Sequence, residues 1–287
     1  MKVIDIHIHG GFGINFDNAD VQDLKDFASQ AYEKGIVAFC PALTGNLPDK
    51  LKERIEVINE AKKTQKKNEA IIIGANIEGT FLSKEKSGIQ NPDNFLDPTI
   101  ENFKKIAGKL ENIIKIVVIA PEKVNCDDFI KYLKSKDIKV HFGHTQTRDL
   151  KGADCINHLY NAMEPVTHKH ETLAVKALLD PDIYTELIAD TKHVHTDVLK
   201  LTFKLRPSDK IILISDALPI ANSNLEYINF CGKKILKSGY DEKGTLGGAT
   251  LLLPDIVNNL SVQKILPVEI ASKMAFDNPK NYLKLIV

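Results

Sequence analysis

Eight short apolar runs, separated by longer amphipathic stretches, predict that this chain folds as a (β/α)8 barrel. Three observations carry that prediction. Strand-like and helix-like patterns alternate along the chain, which implies a parallel sheet with helical crossovers. The runs number eight, enough to close the sheet on itself, with an open doubly wound sheet as the alternative. Histidines and carboxylates gather at the trailing ends of the runs, the rim on which barrels of this kind place their chemistry. No repeat, low-complexity segment or interdomain linker interrupts the pattern, so residues 1–287 are expected to form a single domain.

The first run, "KVIDIHIH", sets Val3, Ile4, Ile6 and Ile8 against Asp5, His7 and His9. Side chains two apart on a strand share a face, so His7 and His9 point the same way at its end. Two imidazoles there are either a hydrogen-bonded or exposed pair, or metal ligands. A helix pattern, "DVQDLKDFASQAYEKG", leads to the second run, "GIVAFCP", and a second helix, "LPDKLKERIEVINEAKK", leads to the third. That third run, "AIIIGANIEG", ends at Glu78; "TIENFKKIAGKLE" then reads as helix before the fourth run, "NIIKIVVIAP". After the helix "NCDDFIKYLKSK", the fifth run, "IKVHFGHT", ends at His144. A short link reaches the sixth, "ADCINHL", which ends at His158. The helix "ETLAVKALLD" precedes the seventh run, "IYTELIAD", with His193 just beyond it, and the eighth, "KIILISDA", ends at Asp216. A long loop with a small hairpin follows, then "PDIVNNLSV" and "PVEIASKMAF" as closing helices.

Composition excludes several classes of function. Hydrophobic residues make up 43% and charged residues 26%, and 38 basic side chains balance 38 acidic ones. With no net charge there is no general bias toward nucleic acid or an anionic membrane. No apolar run approaches the length of a membrane span, and the opening residues read as strand rather than signal peptide. Cys40, Cys126, Cys155 and Cys231 are scattered and form no metal-type pair, which predicts reduced thiols and a cytoplasmic protein. Arginine occurs only at positions 54, 148 and 206, whereas lysine is abundant.

His7, His9, Glu78, His144, His158, His193 and Asp216 would all face one rim of the barrel. Each alone has an ordinary reading, such as a helix cap or a satisfied polar side chain. Together, imidazole and carboxylate in this mixture suit zinc, iron or another first-row divalent ion. His141 has the opposite parity to His144 and is expected in packing or at the surface. His168, His170 and His195 fall in connecting segments, with His195 opening the helix "TDVLKLTF". The glycines of "GTLGG" are only a weak phosphate signal.

The segments "DIHIHGGFGINF", "IEGTFLSKEKSG", "VVIAPE", "GHT", "NHLYNAM", "IADTKHVH", "ISDA", "GTLGGAT" and "ASKMAFDNPKNYL" occur in the order found in one family. With them the chain resembles the N-acetylglucosamine-6-phosphate deacetylase family of the amidohydrolase superfamily. The resemblance implies a barrel of the metal-dependent hydrolase kind that converts N-acetylglucosamine 6-phosphate to glucosamine 6-phosphate and acetate. It implies Glu78, His144 and His158 as ligands of the main metal, and His7 and His9 as ligands of a second, with Glu78 bridging. It further implies Asp216 as general acid/base, His193 at the scissile amide, and Asn161 and Ala162 at the sugar phosphate. Lys169 or His170 stands where the family has an arginine that reaches the phosphate of a neighbouring subunit's substrate, and a homodimer is implied. The fourth run carries no lysine at its tip, unlike amidohydrolases bridged by a carboxylated lysine.

Departures from the family pattern set further expectations. The small β-sandwich that usually accompanies the barrel has no counterpart among these segments. Gln90 replaces a substrate-contacting histidine, Lys169 the arginine, and Thr80 a proline. Thr191 replaces a glycine, so a left-handed backbone there would be strained. These changes leave open a shifted substrate, such as N-acetylgalactosamine 6-phosphate or another N-acylated amine. They also leave open a non-catalytic protein that binds metal or sugar phosphate.

Overall fold

β-Branched runs covered on both faces form the inner wall, in a computed structural model that describes residues 1–287. The strands are β1 (Val3–Ile8), β2 (Ile36–Leu43), β3 (Ala75–Ile77), β4 (Ile114–Ile119), β5 (Lys139–Phe142), β6 (Cys155–Ile156), β7 (Tyr184–Ile188) and β8 (Ile211–Ile214). All pair in parallel and in chain order. The "IILI" of β8 is buried throughout, as a strand packed on both faces must be. The ring closes between β8 and β1. The Asp216 amide donates to the His7 carbonyl at 2.9 Å, and the His9 amide to the Ala217 carbonyl at 2.9 Å. An open doubly wound sheet is thereby excluded. Both closing bonds lie at the rim, so closure itself sets His7, His9 and Asp216 side by side.

Two runs form less strand than their apolar content predicts. The third divides at Ile73–Gly74 into Ile71–Ile72, paired with β2, and β3 proper. The sixth keeps only two ladder residues. Past them the Asn157 amide bonds to the Phe142 carbonyl and the Leu159 amide to the Glu186 carbonyl, both at 2.9 Å, so pairing continues as single bonds while the chain turns.

The helices are α1 (Val21–Lys34), α2 (Pro48–Lys63), α3 (Ile100–Ala107), α4 (Asp127–Ser135), α5 (Leu173–Leu179) and α6 (Thr196–Leu205), followed by α7 (Leu253–Val262), α8 (Val268–Ala275) and α9 (Asp277–Tyr282). Their ends are written locally. Asp20 and Asp23 form a reciprocal capping box at the start of α1, and left-handed Gly35 ends it. Thr99 and Thr172 cap α3 and α5. His195 caps α6 by accepting the Asp197 amide, the role expected of it. No helix separates β5 from β6, in keeping with the short link.

One continuous core of 75 buried residues fills the barrel and its helical shell. A separate cluster of Ile89, Leu218, Ile220, Ile228, Phe230 and Ile235 holds the hairpin Tyr227–Phe230/Lys233–Leu236 over the rim. There the Phe230 ring stands edge-on to His9 at 5.4 Å. His141 departs from the surface half of its expectation. It is fully buried, with Nε2 2.9 Å from the Tyr282 hydroxyl and Nδ1 3.4 Å from a Glu186 oxygen. No helix is long and apolar enough to cross a membrane.

Candidate metal centre and active site

Glu78 leaves the tip of β3 into the middle of the rim, and the following glycine makes that possible. A Cβ on Gly79 would lie 1.7 Å from the Gly45 nitrogen and 2.2 Å from the Thr44 carbonyl carbon, so only glycine lets the two strand ends cross. Glu78 Oε1 then lies 2.9 Å from His144 Nε2 and 3.1 Å from His158 Nε2, and those two nitrogens are 3.1 Å apart. On the other side, His7 Nε2 is 3.6 Å from Oε1 and His9 Nε2 is 3.5 Å from Oε2. Asp216 Oδ1 faces the same two histidines, at 3.2 Å from His9 and 3.5 Å from His7. Glu78 thus belongs to two groups able to hold a metal, one with His144 and His158 and one with His7 and His9.

The tautomers show what these groups are built to receive. His144 Nδ1 lies 2.7 Å from the Lys86 carbonyl, His9 Nδ1 3.1 Å from the Ala42 carbonyl, and His7 Nδ1 3.1 Å from Glu186 Oε2. Each partner only accepts, so one ring proton sits on Nδ1, and Nε2 of the neutral ring is left to present a lone pair. Nε2 points at carboxylate oxygens in each case, an arrangement that is repulsive unless a positive charge, a metal ion or a second ring proton, lies between them. Fully buried His7 Nε2 has no hydrogen-bond partner at all. Bracing of the far ring nitrogen by carbonyls and a carboxylate is the usual support for metal-binding histidine. Ligand atoms about 2.0–2.2 Å from a shared ion stand roughly 3 Å from one another, as Glu78, His144 and His158 do. The donor set therefore fits a divalent metal.

Electrostatics agree. Burial would raise the Glu78 carboxyl, but His144, His158 and His7 hold it well below the usual carboxylate range. Burial likewise opposes ionisation of Asp216, yet the bond from His9 and the charge of His7 keep it lowered. The His7 imidazole, which burial alone would depress, is pushed up to about 10 by Glu186, Asp216 and Glu78. The rim is a place made for positive charge.

The remaining expected residues divide. His193 and Asp216 line the cavity over Glu78, together with Asn161, Ala162 and Gln90. His193 Nδ1 bonds to Asp190 Oδ2 at 2.8 Å, and Asp190 Oδ1 also accepts the amides of Lys192 and His193 at 2.9 Å each. Asn161 turns its amide inward to the carbonyls of His158 and Leu159. Gln90 is turned toward Glu78 rather than into open space, its Nε2 donating to Oε2 at 2.7 Å. Lys169 and His170 lie on the exposed segment 165–171, outside the cavity lining, with His170 3.6 Å from Glu164. Glycine in "GTLGG" serves a close approach: a Cβ on Gly248 would sit 2.8 Å from the Asp216 carbonyl oxygen.

Backbone strain concentrates here. Thr80, His144, His158, Ala162, Thr191 and Asp216 all have positive φ, from 23° to 83°. Thr191, at 66°, meets the expectation of strain, and for a β-branched residue the left-handed region is a true outlier.

Sequence reasoning missed Glu186 and Asp190. Glu186 is wholly buried in β7 and orients His7; its signal was a charge inside a run otherwise apolar on both faces. Asp190 had a weaker one, lying three positions before His193. Asp5, on the same strand face as His7 and His9, braces the β1–β8 seam by accepting the Ser215 hydroxyl at 2.5 Å.

No family model matches the chain. It is 31% identical over 262 residues to N-acetylglucosamine-6-phosphate deacetylase of Bacillus subtilis, an alignment that takes in 87% of this chain. The chain spans 66% of that relative's length, just under two thirds. It is 27% identical over 292 residues to N-acetylgalactosamine-6-phosphate deacetylase of Escherichia coli O157:H7, with 98% of this chain and 76% of the relative covered. Among solved structures, N-acetylglucosamine-6-phosphate deacetylase from Pasteurella multocida superimposes with a TM-score of 0.89 at 28% identity. That superposition covers 99% of this chain and 76% of the solved one. In the order of its motifs, its barrel and these relatives, the chain is similar to the N-acetylglucosamine-6-phosphate deacetylases.

Proposed function

We propose that residues 1–287 act as one catalytic domain, a metal-dependent deacetylase that hydrolyses the acetamido group of N-acetylglucosamine 6-phosphate to glucosamine 6-phosphate and acetate. The observation that carries this reading is Glu78, flanked by two histidine pairs and overlooked by Asp216. The two groups have room for one or two ions, and their nitrogen and carboxylate donors suit zinc or iron. When bound, such an ion supplies Lewis-acid chemistry, polarising the amide carbonyl and making water more acidic.

The chain's own side chains handle the protons and the substrate. Asp216, held as carboxylate by His9 and His7, takes the proton of the attacking water and returns it to the departing amine. Asp190 holds the proton of His193 on Nδ1 and fixes the ring. In its doubly protonated form that ring donates from Nε2 to charge growing on the carbonyl oxygen. Asn161 and Ala162 offer backbone groups to the sugar phosphate. Lys169 and His170, exposed beside the rim, are assigned to the phosphate of a neighbouring subunit's substrate. A homodimer is part of the proposal, and Val198, Leu201 and Leu205 form an exposed apolar stripe on α6 for it. The four unpaired cysteines fit a reducing compartment, the cytoplasm.

The deciding experiment measures acetate release from N-acetylglucosamine 6-phosphate together with bound metal on the same sample. Metal-dependent turnover, with little on the unphosphorylated sugar, is expected. A folded, metal-loaded protein without turnover would remove this substrate. A second reading, N-acetylgalactosamine 6-phosphate, is favoured by the Escherichia coli relative, and the epimeric sugar belongs in the same assay.

A further inference from the structure

Gln90 sits on the loop after β3, 2% exposed, and both ends of its amide are engaged. Oε1 accepts the Gly45 amide at 2.8 Å, and Nε2 donates to Glu78 Oε2 at 2.7 Å. Because Gly45 N–H can only donate, it fixes which end of the amide faces Glu78. Gly45 is itself anchored, its carbonyl accepting Asn94 Nδ2 at 2.9 Å. The result is a strap from the loop after β2, through Gln90, to the carboxylate between the two histidine pairs.

A glutamate side chain on its own rotates readily about its terminal torsion. Turned flat toward His144 and His158, it would present both oxygens to one ion and take Oε2 away from His9. The strap prevents that rotation. It pins Oε2 on the His9 side while Oε1 remains with His144 and His158. A carboxylate oxygen has two lone-pair directions, so the Gln90 bond leaves one free on Oε2. We propose that Gln90 is a positioning residue that holds Glu78 as a bridge, Oε1 toward His144 and His158 and Oε2 toward His9, and so sets how tightly the His7–His9 position takes its ion. This inference rests on the metal-dependent reading above.

The test titrates metal-free wild type, Gln90→Ala and Gln90→Met with zinc, counting ions per chain and recording Tm on the same samples. Methionine nearly fills the glutamine's space without its donor, which separates the hydrogen bond from packing. Wild type is expected to bind two ions in distinguishable steps. Both variants should keep the first and weaken the second by about 10–100-fold, with the metal-free proteins still folded and their Tm lowered by about 2–4 °C for the lost Gly45 bond. Two ions bound by Gln90→Met as tightly as by wild type would overturn the proposal. So would equal weakening of both steps, or a single ion in wild type. A wild type that binds neither ion would instead overturn the metal-dependent reading beneath it.

Discussion

The two halves of the candidate metal centre share Glu78 but are built to different tolerances. Around His144 and His158 the ligand atoms stand 2.9–3.1 Å apart, whereas around His7 and His9 the spacings to carboxylate oxygens run from 3.2 to 3.6 Å. The supports differ too. His144 is braced by the Lys86 carbonyl, a neutral group on a nearby loop, while His7 is braced by the buried charge of Glu186. In the tight half only His144 has such a brace, since His158 Nδ1 is buried without a partner. In the loose half His9 leans on the Ala42 carbonyl, whereas His7 and the facing Asp216 oxygen depend on side-chain carboxylates delivered from β7 and β8. Substitutions of those carboxylates should therefore separate the halves, and chelation should empty the His7–His9 side first.

The largest effect is expected where the halves meet. Glu78→Gln removes the shared charge, so both ions and essentially all turnover should go, a loss of at least about 10³-fold. Metal retained at two ions per chain would show that the carboxylate is not the bridge. Next comes Asp216→Asn, expected to lower kcat by about 10²–10⁴-fold while Glu78, His144 and His158 keep their ion. Wild-type turnover in that variant would disprove the proton-transfer role.

Glu186→Gln tests the difference in support directly. It should weaken metal at the His7–His9 half by about 10–100-fold and spare the other half. Equal weakening on both sides would mean that the two halves are not separately braced.

Asp190 allows a pH test with a definite sign. Burial would raise its carboxyl, but the His193 bond holds it below the ordinary 3.8. A depressed folded-state value contributes stability that is complete above about pH 5 and fades as pH falls through and below 3.8. Asp190→Asn should cost about 1–2 kcal/mol at neutral pH and flatten the loss on acidification, read from urea unfolding at several pH values. Parallel pH curves for the two proteins would exclude this coupling.

The smallest effect has the opposite sign. Thr191→Gly relieves a left-handed β-branched residue at the cost of glycine's extra entropy, for a net gain of roughly 1 kcal/mol, about 2 °C in Tm. A fall in Tm would place the strain elsewhere on the rim.

Much of the fold was legible because its signals are local. Alternating apolar runs and helical stretches predict the barrel, and the caps at Asp20, Thr99, Thr172 and His195 follow from a few adjacent residues. The site was legible as a set, since each of its histidines and carboxylates ends or follows an apolar run. Glu186 was not. It lies 179 positions from His7, in a run whose hydrophobic pattern only says that it is buried. The strap through Gln90 was hidden for the same reason, because nothing near "SGIQNP" specifies that the glutamine will meet Gly45 and Glu78.

By itself the sequence determined the order of the eight barrel strands and the residues that meet on one rim, because hydrophobic period and strand parity act over a few residues; the closing helix α9 and the break in the third run were not among its signals. Only the tertiary structure decided which lone pairs face which carboxylates, which buried charge steadies His7, and how Glu78 is divided between its two sides. Those are hydrogen bonds between strands far apart in the chain, and they exist only once β8 has closed against β1.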